Sequence, residues 1–376
     1  MVLRVGIVSA GWGGYAHLPA WRAVPGVKVT AMCTSREETA RAAAANFGVE
    51  RPFWDAMALC ADPDIDIVDL GTRPNLRLPW VIAALEAGKH VYNSSPHAPG
   101  WDGAKAIDAA WRKAGTVGVV DAFAEWIPAV RHQIDLVRGG YLGRPLGGTC
   151  HFNISLFNSP SKQFPYGWFA DKSAGVSAIR NNGSHMLYVL TSMFGAVEEL
   201  TAYDAQFLPE WRYPDGDVTR PETNDHCSVI LRFASGMVMT MQVNWNMTNF
   251  SGWKIDVFGT EGRLDLRAPT YPYPNDAILR GAKRPADVGR LDLVPEMAGI
   301  TPPDAYFDPP GVALDRNCPV PASFGMALAM QSMVNSIEDR STANPDFGRA
   351  LEIERILEAI RVSSEARQWV KLLEVV

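Results

Sequence analysis

Leu3-Arg-Val-Gly-Ile-Val-Ser-Ala-Gly-Trp-Gly-Gly-Tyr15 decides how the rest of this chain is read. Leu3 to Val8 is short and mostly apolar, the pattern of a strand buried on both faces. It runs into Ser9-Ala10-Gly11-Trp12-Gly13-Gly14, and a helical segment follows through Arg22. Strand, glycine-rich turn and helix, in that order, predict a dinucleotide-binding turn. Gly11 is expected to let the backbone approach a pyrophosphate and Gly14 to let the helix pack close to the strand, with the N–H groups of the helix start facing the anion. Trp12 and Gly13 belong to the same turn. Ser9 stands where the first glycine of GxGxxG belongs, and the competing reading is a turn whose glycines serve geometry alone.

The segments downstream keep the alternation. Val27 to Cys33 reads as a second strand, and Glu37 to Phe47 as an alanine-rich helix closed by Gly48. Asp64–Leu70, Lys89–Asn93 and Val117–Ala122 read as further strands, with helices at Trp80–Ala87 and Gly100–Ala114. This spacing predicts an α/β Rossmann domain over residues 1–124, a parallel sheet doubly wound by helices. Ligands of such sheets sit outside the carboxyl ends of the strands, so Ser9, Thr34, Thr72 and Asn93 are expected to share one crevice, with Asn75 in the Thr72 loop. NAD-binding folds keep an acid at the end of the second strand for the ribose 2′-hydroxyl. Here the strand ends without one, and Ser35 and Arg36 are suited to a 2′-phosphate, which favours NADP over NAD. Two alternatives stand beside that reading: Ser35-x-x-Glu38 is also a capping box, and Glu37 could turn to a hydroxyl.

From Glu125 the texture changes. A helix at Pro128–Arg138 precedes longer strands at Gly148–Leu156, Glu198–Phe207, His226–Phe233, Met237–Asn246, Trp253–Phe258 and Arg263–Leu266. Ser235-Gly236 and Thr260-Glu261-Gly262 are hairpin-type turns between them. Residues 125–376 are therefore expected to form an α+β domain built on a large, open, mainly antiparallel sheet. Ala268–Ala322 is proline-rich and weakly periodic, a long loop of the functional or interfacial kind. Phe324–Ile337 and Arg349–Arg367 read as closing helices.

Composition narrows the function. At 376 residues the chain exceeds one ordinary core. A net charge of −6 without any basic run argues against nonspecific nucleic-acid binding, and no apolar run reaches membrane-spanning length. Five scattered cysteines without CxxC spacing suggest reduced thiols in a cytoplasm, and the early first strand leaves no room for a signal peptide. No metal is expected, because Asp225-His226 and His151 lack ligand spacing.

Ala84-Leu-Glu-Ala-Gly-Lys-His-Val91, Gly259-Thr-Glu-Gly262, Ile360-Arg-Val-Ser-Ser-Glu-Ala366 and the glycine-rich stretch Gly175–His185 resemble the glucose–fructose oxidoreductase/inositol dehydrogenase (Gfo/Idh/MocA) family. The resemblance spans most of the chain. It implies a Rossmann domain, a second domain on an open sheet, homo-oligomers (dimer or tetramer) formed through that sheet, and NAD(P)-dependent chemistry at carbon–oxygen bonds of sugars and cyclitols. It also implies a Glu-Lys-Pro whose lysine touches the reacting hydroxyl. Here those positions read Ser94-Ser95-Pro96, and only the proline, a fixed turn beside the nicotinamide, is kept. The family's Asp-x-Gly-x-His reads Asn181-Asn182-Gly183-Ser184-His185, and its next acid is Tyr188.

Oxidising an alcohol requires a base for the hydroxyl proton while hydride leaves carbon. His185 suits that task, with a reference pKa of about 6.5. Without the lysine, a developing alkoxide loses its electrostatic stabiliser; without the aspartate, His185 lacks an anionic partner to hold one tautomer. Ser94, Ser95, Asn181 and Asn182 retain the hydroxyls and amides to position a polyol. His97 is a second candidate proton carrier. Arg180 and Lys172 are carboxylate binders or solvated charges, and Trp126, Phe164, Tyr166 and Trp168 are core rings or stacking surfaces for a sugar. Three functions fit: an NAD(P)-dependent oxidoreductase on a sugar-like, cyclitol or glycoside substrate; a redox-neutral lyase or glycoside-cleaving enzyme with tightly bound NAD(P); and a non-catalytic dinucleotide-dependent sensor.

Overall fold

The computed structural model describes residues 2–158, 160–161, 167–284, 296–309, 311–339 and 341–376, in two compact units. The first unit holds residues 1–126, 173–175 and 308–354. Its strands are β1 (Leu3–Val8), β2 (Val27–Cys33), β3 (Arg51–Phe53), β4 (Ile67–Leu70), β5 (His90–Ser94) and β6 (Gly118–Asp121). Among the described residues they form one sheet in the order β3-β2-β1-β4-β5-β6, all neighbours parallel. A π-helical turn, Gly13–His17, leads into α1 (Leu18–Ala23); α2 (Glu37–Phe47), α3 (Ala56–Ala61), α4 (Pro74–Glu86) and α5 (Trp101–Ala114) follow in the crossovers. The first two strands keep their expected bounds because continuous apolar runs mark a strand covered on both faces. Helix α4 starts earlier than Trp80, since Pro74 at its first position is preset for helix entry. The short β3 and α3 escaped the sequence reading; α3 is started by Asp55, whose Oδ1 accepts from the Met57 N–H at 2.8 Å.

Two expectations are corrected in this unit. The Ser35-x-x-Glu38 capping box does not form: Arg36 is the N-cap of α2, and the Thr34 and Thr39 hydroxyls donate to its carbonyl at 3.2 and 3.0 Å. The second concerns residues 308–354, which the sequence reading gave to the second domain. Here α8 (Ala322–Asp339) packs on α1, with Ser323 Oγ donating to Ala16 O at 2.8 Å. Asp346 bridges Val119 of β6, and the Val120 N–H donates to Pro345 O at 3.0 Å, so a returning segment pairs with the edge strand. Phe347 is fully buried, and a Cβ on Gly118 would come within 2.7 Å of its ring.

The second unit holds residues 127–172, 176–307 and 355–376. It opens with α6 (Pro128–Arg138) and β7 (Pro145–Asn153), followed by a π-helical turn at Ile179–Gly183 that runs into α7 (Ser184–Phe194). Then come β8 (Val197–Ala205), the small β9 (Trp211–Arg212) and β10 (Val218–Thr219) pair, β11 (His226–Phe233), β12 (Val238–Asn244), β13 (Gly252–Gly259), β14 (Gly262–Ala268), β15 (Ile278–Lys283) and β16 (Ala298–Ile300). Helix α9 (Phe347–Ala366) contributes residues 355–366 to this unit, and β17 (Val370–Lys371) is followed by a 3-10 turn at Leu372–Glu374. Among the described residues the large sheet has nine strands in the order β16-β15-β14-β13-β7-β12-β11-β8-β17, antiparallel except for β7 beside β12. Strands β15 and β16 lie inside the stretch read as loop. One face of the sheet exposes Tyr203, Ile230, Val238, Phe258 and Ile278 beside an ionic lattice of Lys254, Asp256, Arg263, Asp265 and Arg267.

Candidate active site

The glycine turn is a cradle with no spare room. A Cβ on Gly13 would sit 2.8 Å from Ile7 and 2.9 Å from the Ser9 Cβ, and Gly71 comes within 3.1 Å of the Gly13 backbone in the same way. A Cβ on Gly14 would meet the Phe47 ring at 2.7 Å. Close packing on the strand is therefore Gly13's task, whereas Gly14 clears α2, a correction to the expected role of Gly14. Ser9 replaces a glycine without cost to the turn, because its Oγ accepts the Gly11 N–H at 3.2 Å. Trp12 is exposed beside it. Register aligns the ends of β2, β1, β4 and β5, setting Thr34, Ser9, Thr72 and Asn93 along one sheet edge. Asn75, in the first turn of α4, keeps a buried Oδ1 with no hydrogen bond among the described residues.

Beyond β2, Ser35 and Arg36 are exposed, while Glu37 is held by Arg41 one helical turn on, at 2.7 and 2.9 Å. The acid that could have turned to a ribose hydroxyl already has a cation.

The turn after β5 is tightly built. Asn93 Nδ2 donates to the His97 carbonyl at 2.7 Å and lies 3.1 Å from His97 Nδ1; the Ser95–Pro96 peptide is cis. His97 is buried and packs edge-on against Phe347 at 4.6 Å. Burial, aided by the nearby Arg77 charge, pushes the imidazole down to about 3. So low a proton affinity makes His97 a poor base at neutral pH. Asn93 Oδ1 and Ser94 Oγ are buried without hydrogen bonds among the described residues, and Ser95 is half-buried. Such orphaned groups beside a glycine cradle fit a bound dinucleotide.

Sequence reasoning missed the ionic centre of this unit. His17, on the π turn, is fully buried with Nδ1 2.8 Å from Asp69 Oδ1 on β4 and Nε2 3.4 Å from Asp121 Oδ2 on β6. Trp21 Nε1 donates to Asp69 at 2.6 Å, and Tyr92 Oη donates to Asp121 at 3.1 Å. Burial alone would depress the His17 ring, but the two carboxylates outweigh it and lift it to about 10, so it stays cationic. Charged residues inside apolar strands were the available signal.

In the second unit, His185 is buried in the first turn of α7, edge-on to Tyr271 at 5.4 Å. Tyr271 Oη donates to Asn182 Oδ1 at 3.0 Å, and its ring packs on Phe152 at 4.5 Å. Tyr271 comes from the proline-rich stretch and was not foreseen. Asn182 Nδ2 and Asn181 Oδ1 are buried without hydrogen bonds among the described residues. Arg180 and Lys172 act on the protein's own Asp204, which burial raises to about 6 despite them. Trp168 packs on Phe169, part of a core cluster with Phe157 and Trp245. Trp126 closes a 3-10 turn of the first unit, half-buried; Phe164 and Tyr166 lie outside the described residues. Asp225 accepts from the Phe207 and Leu208 N–H groups, both at 2.8 Å, and from Asn246, a structural use of that acid.

Residues 3–122 match the oxidoreductase family with an NAD-binding Rossmann fold, and residues 130–265 match the GFO/IDH/MocA C-terminal domain. The chain belongs to the Gfo/Idh/MocA family. This Gfo/Idh/MocA protein is thus an oxidoreductase with a nicotinamide-dinucleotide domain. It is 24% identical to levoglucosan dehydrogenase of Pseudarthrobacter phenanthrenivorans over 99% of both chains. D-apiose dehydrogenase of Paraburkholderia graminis is 27% identical over 70% of this chain and 67% of its own. Among solved structures, an NAD-binding oxidoreductase from Klebsiella pneumoniae superposes with a TM-score of 0.85 at 24% identity, covering 99% of each chain. Levoglucosan dehydrogenase in complex with NADH and levoglucosan gives 0.85 at 23% identity, covering 98% of this chain and 99% of that one.

Proposed function

We propose that this Gfo/Idh/MocA oxidoreductase oxidises a secondary alcohol of a sugar-like or cyclitol substrate and prefers NADP to NAD. The cofactor half rests on the glycine cradle at Gly13 and Gly14, too tight for any side chain. The substrate half rests on the levoglucosan and D-apiose dehydrogenases among its relatives. The NADP preference is supported by exposed Ser35 and Arg36 and by a Glu37 already paired with Arg41.

A dinucleotide held by Ser9, Gly11, Trp12, Gly13, Gly14, Thr34, Thr72, Asn75, Asn93 and Pro96 supplies the hydride acceptor. In the first unit, Ser94 and Ser95 offer hydroxyls to a polyol, with Trp126 as a further contact; in the second, Asn181 and Asn182 offer amide groups, with Trp168 and Arg180 as further contacts. His185 takes the hydroxyl proton as the carbon–hydrogen bond breaks, and the O–H pair becomes the second carbonyl bond. The working form is a cytoplasmic homo-oligomer joined through the mixed apolar and ionic sheet face.

Incubating the protein with a panel of pyranoses, anhydro sugars and cyclitols, with each cofactor, tests this by the absorbance of reduced nicotinamide. His185→Ala should lower kcat by about 10²–10⁴, the worth of a positioned base, with cofactor affinity little changed. Near-normal turnover in that variant removes the role. No turnover on the panel, with dinucleotide retained through dialysis, favours the redox-neutral alternative.

A further inference from the structure

Ser95 carries no charge of its own, yet a cation lies next to it in the first unit. Arg77, in the second turn of α4, is 1% exposed, and its guanidinium donates to two backbone carbonyls. One is Thr72 O, after β4; the other is Ser94 O, at 2.5 Å, one residue before Ser95. Guanidinium is not deprotonated in proteins, so this charge is permanent. At 1% exposure it is shielded from water, and its field reaches further than a surface charge would. The same field already acts at this turn, where it disfavours protonation of His97.

We propose that Arg77 is a positioning residue that gives the Ser94-Ser95-Pro96 turn a permanent positive charge. It acts through the field and through the two carbonyls that it ties, not by touching substrate. Its role in turnover rests on the dehydrogenase reading above, but its field at position 95 does not.

The test separates the two. Ser95→Cys places a thiol at the half-buried position, and its titration is followed by pH-dependent alkylation with mass-spectrometric readout. Of the five native cysteines, Cys33, Cys60, Cys150 and Cys227 are buried and burial raises all four, while the half-buried Cys318, also raised by burial, is read separately on its own peptide. The introduced thiol should titrate at least about one pH unit below the usual 8.5 or so of cysteine. Adding Arg77→Gln should return it to that value or above, and Arg77→Lys should keep it low. A thiol that titrates at or above the usual value in the otherwise native chain overturns the proposal, even if Arg77→Gln fails to fold. So does a low value unmoved by Arg77→Gln. In turnover, Arg77→Gln should lower kcat about tenfold or more with little change in KM, as loss of transition-state stabilisation does. A shifted thiol without any sugar oxidation by the native protein sinks the dehydrogenase reading and leaves the charge assignment standing.

Discussion

Replacing His17 by glutamine removes the cation facing Asp69 and Asp121, while keeping a polar side chain of similar size. His17 is lifted from the ordinary 6.5 to about 10. At about 1.4 kcal/mol per pH unit, that difference corresponds to roughly 5 kcal/mol of preference for the charged ring in the folded state. Breaking a buried ion pair by removing one partner independently suggests about 3–5 kcal/mol. The sign follows from the direction of the lift. A ring that binds its proton more tightly when folded contributes its full stabilisation below pH 6.5, and loses it as pH rises through about 10. Urea unfolding of the native protein and of His17→Gln, repeated from pH 6 to pH 10 or so, should show a gap of about 3–5 kcal/mol at the acid end that narrows with pH. Tyr92, beside Asp121, is raised well above its ordinary range by burial and stays silent across that window. Parallel stability curves, or a gap below about 1 kcal/mol at pH 6, would refute the reasoning.

Arg36→Ala should weaken NADP binding about tenfold, the worth of one charge-assisted contact, and leave NAD binding unchanged; fluorescence titration with both cofactors reads it. Gly14→Ala should destabilise by about 1–3 kcal/mol through overpacking on Phe47, seen as a lower urea midpoint. Val238→Glu, on the exposed sheet face, should shift light scattering from oligomer to monomer at micromolar protein, and a native protein already monomeric there removes the assembly proposal.

Much of the first unit was legible because strands covered on both faces write themselves as unbroken apolar runs. Leu3–Val8 and Val27–Cys33 needed no knowledge of their neighbours. What stayed hidden depended on partners distant in sequence. Asp69 lay inside the expected Asp64–Leu70 strand, and its partner His17 is 52 residues away. A local competitor decided one more case: Ser35-x-x-Glu38 matched a capping pattern, but the neighbouring Thr34 and Thr39 hydroxyls hold the Arg36 carbonyl instead. His97 looked like an available base because sequence says nothing of the Phe347 ring against it. Tyr271 was lost in a proline-rich stretch whose periodicity is too weak to aim a side chain, and its hydroxyl nonetheless selects Asn182.

The return of residues 308–354 to the first unit bears on how the polypeptide matures. A ribosome releases residues 1–126 long before Phe347, yet Gly118 is shaped to receive that ring and β6 awaits the bridge from Asp346. Until then the nascent Rossmann sheet carries an open edge and an unfilled apolar hollow, features that invite association with other chains. Neither unit can close before its returning segment is made: residues 308–354 for the nucleotide unit and 355–376 for the second. Expression of residues 1–126 alone should therefore give an aggregating fragment rather than a small cofactor-binding protein.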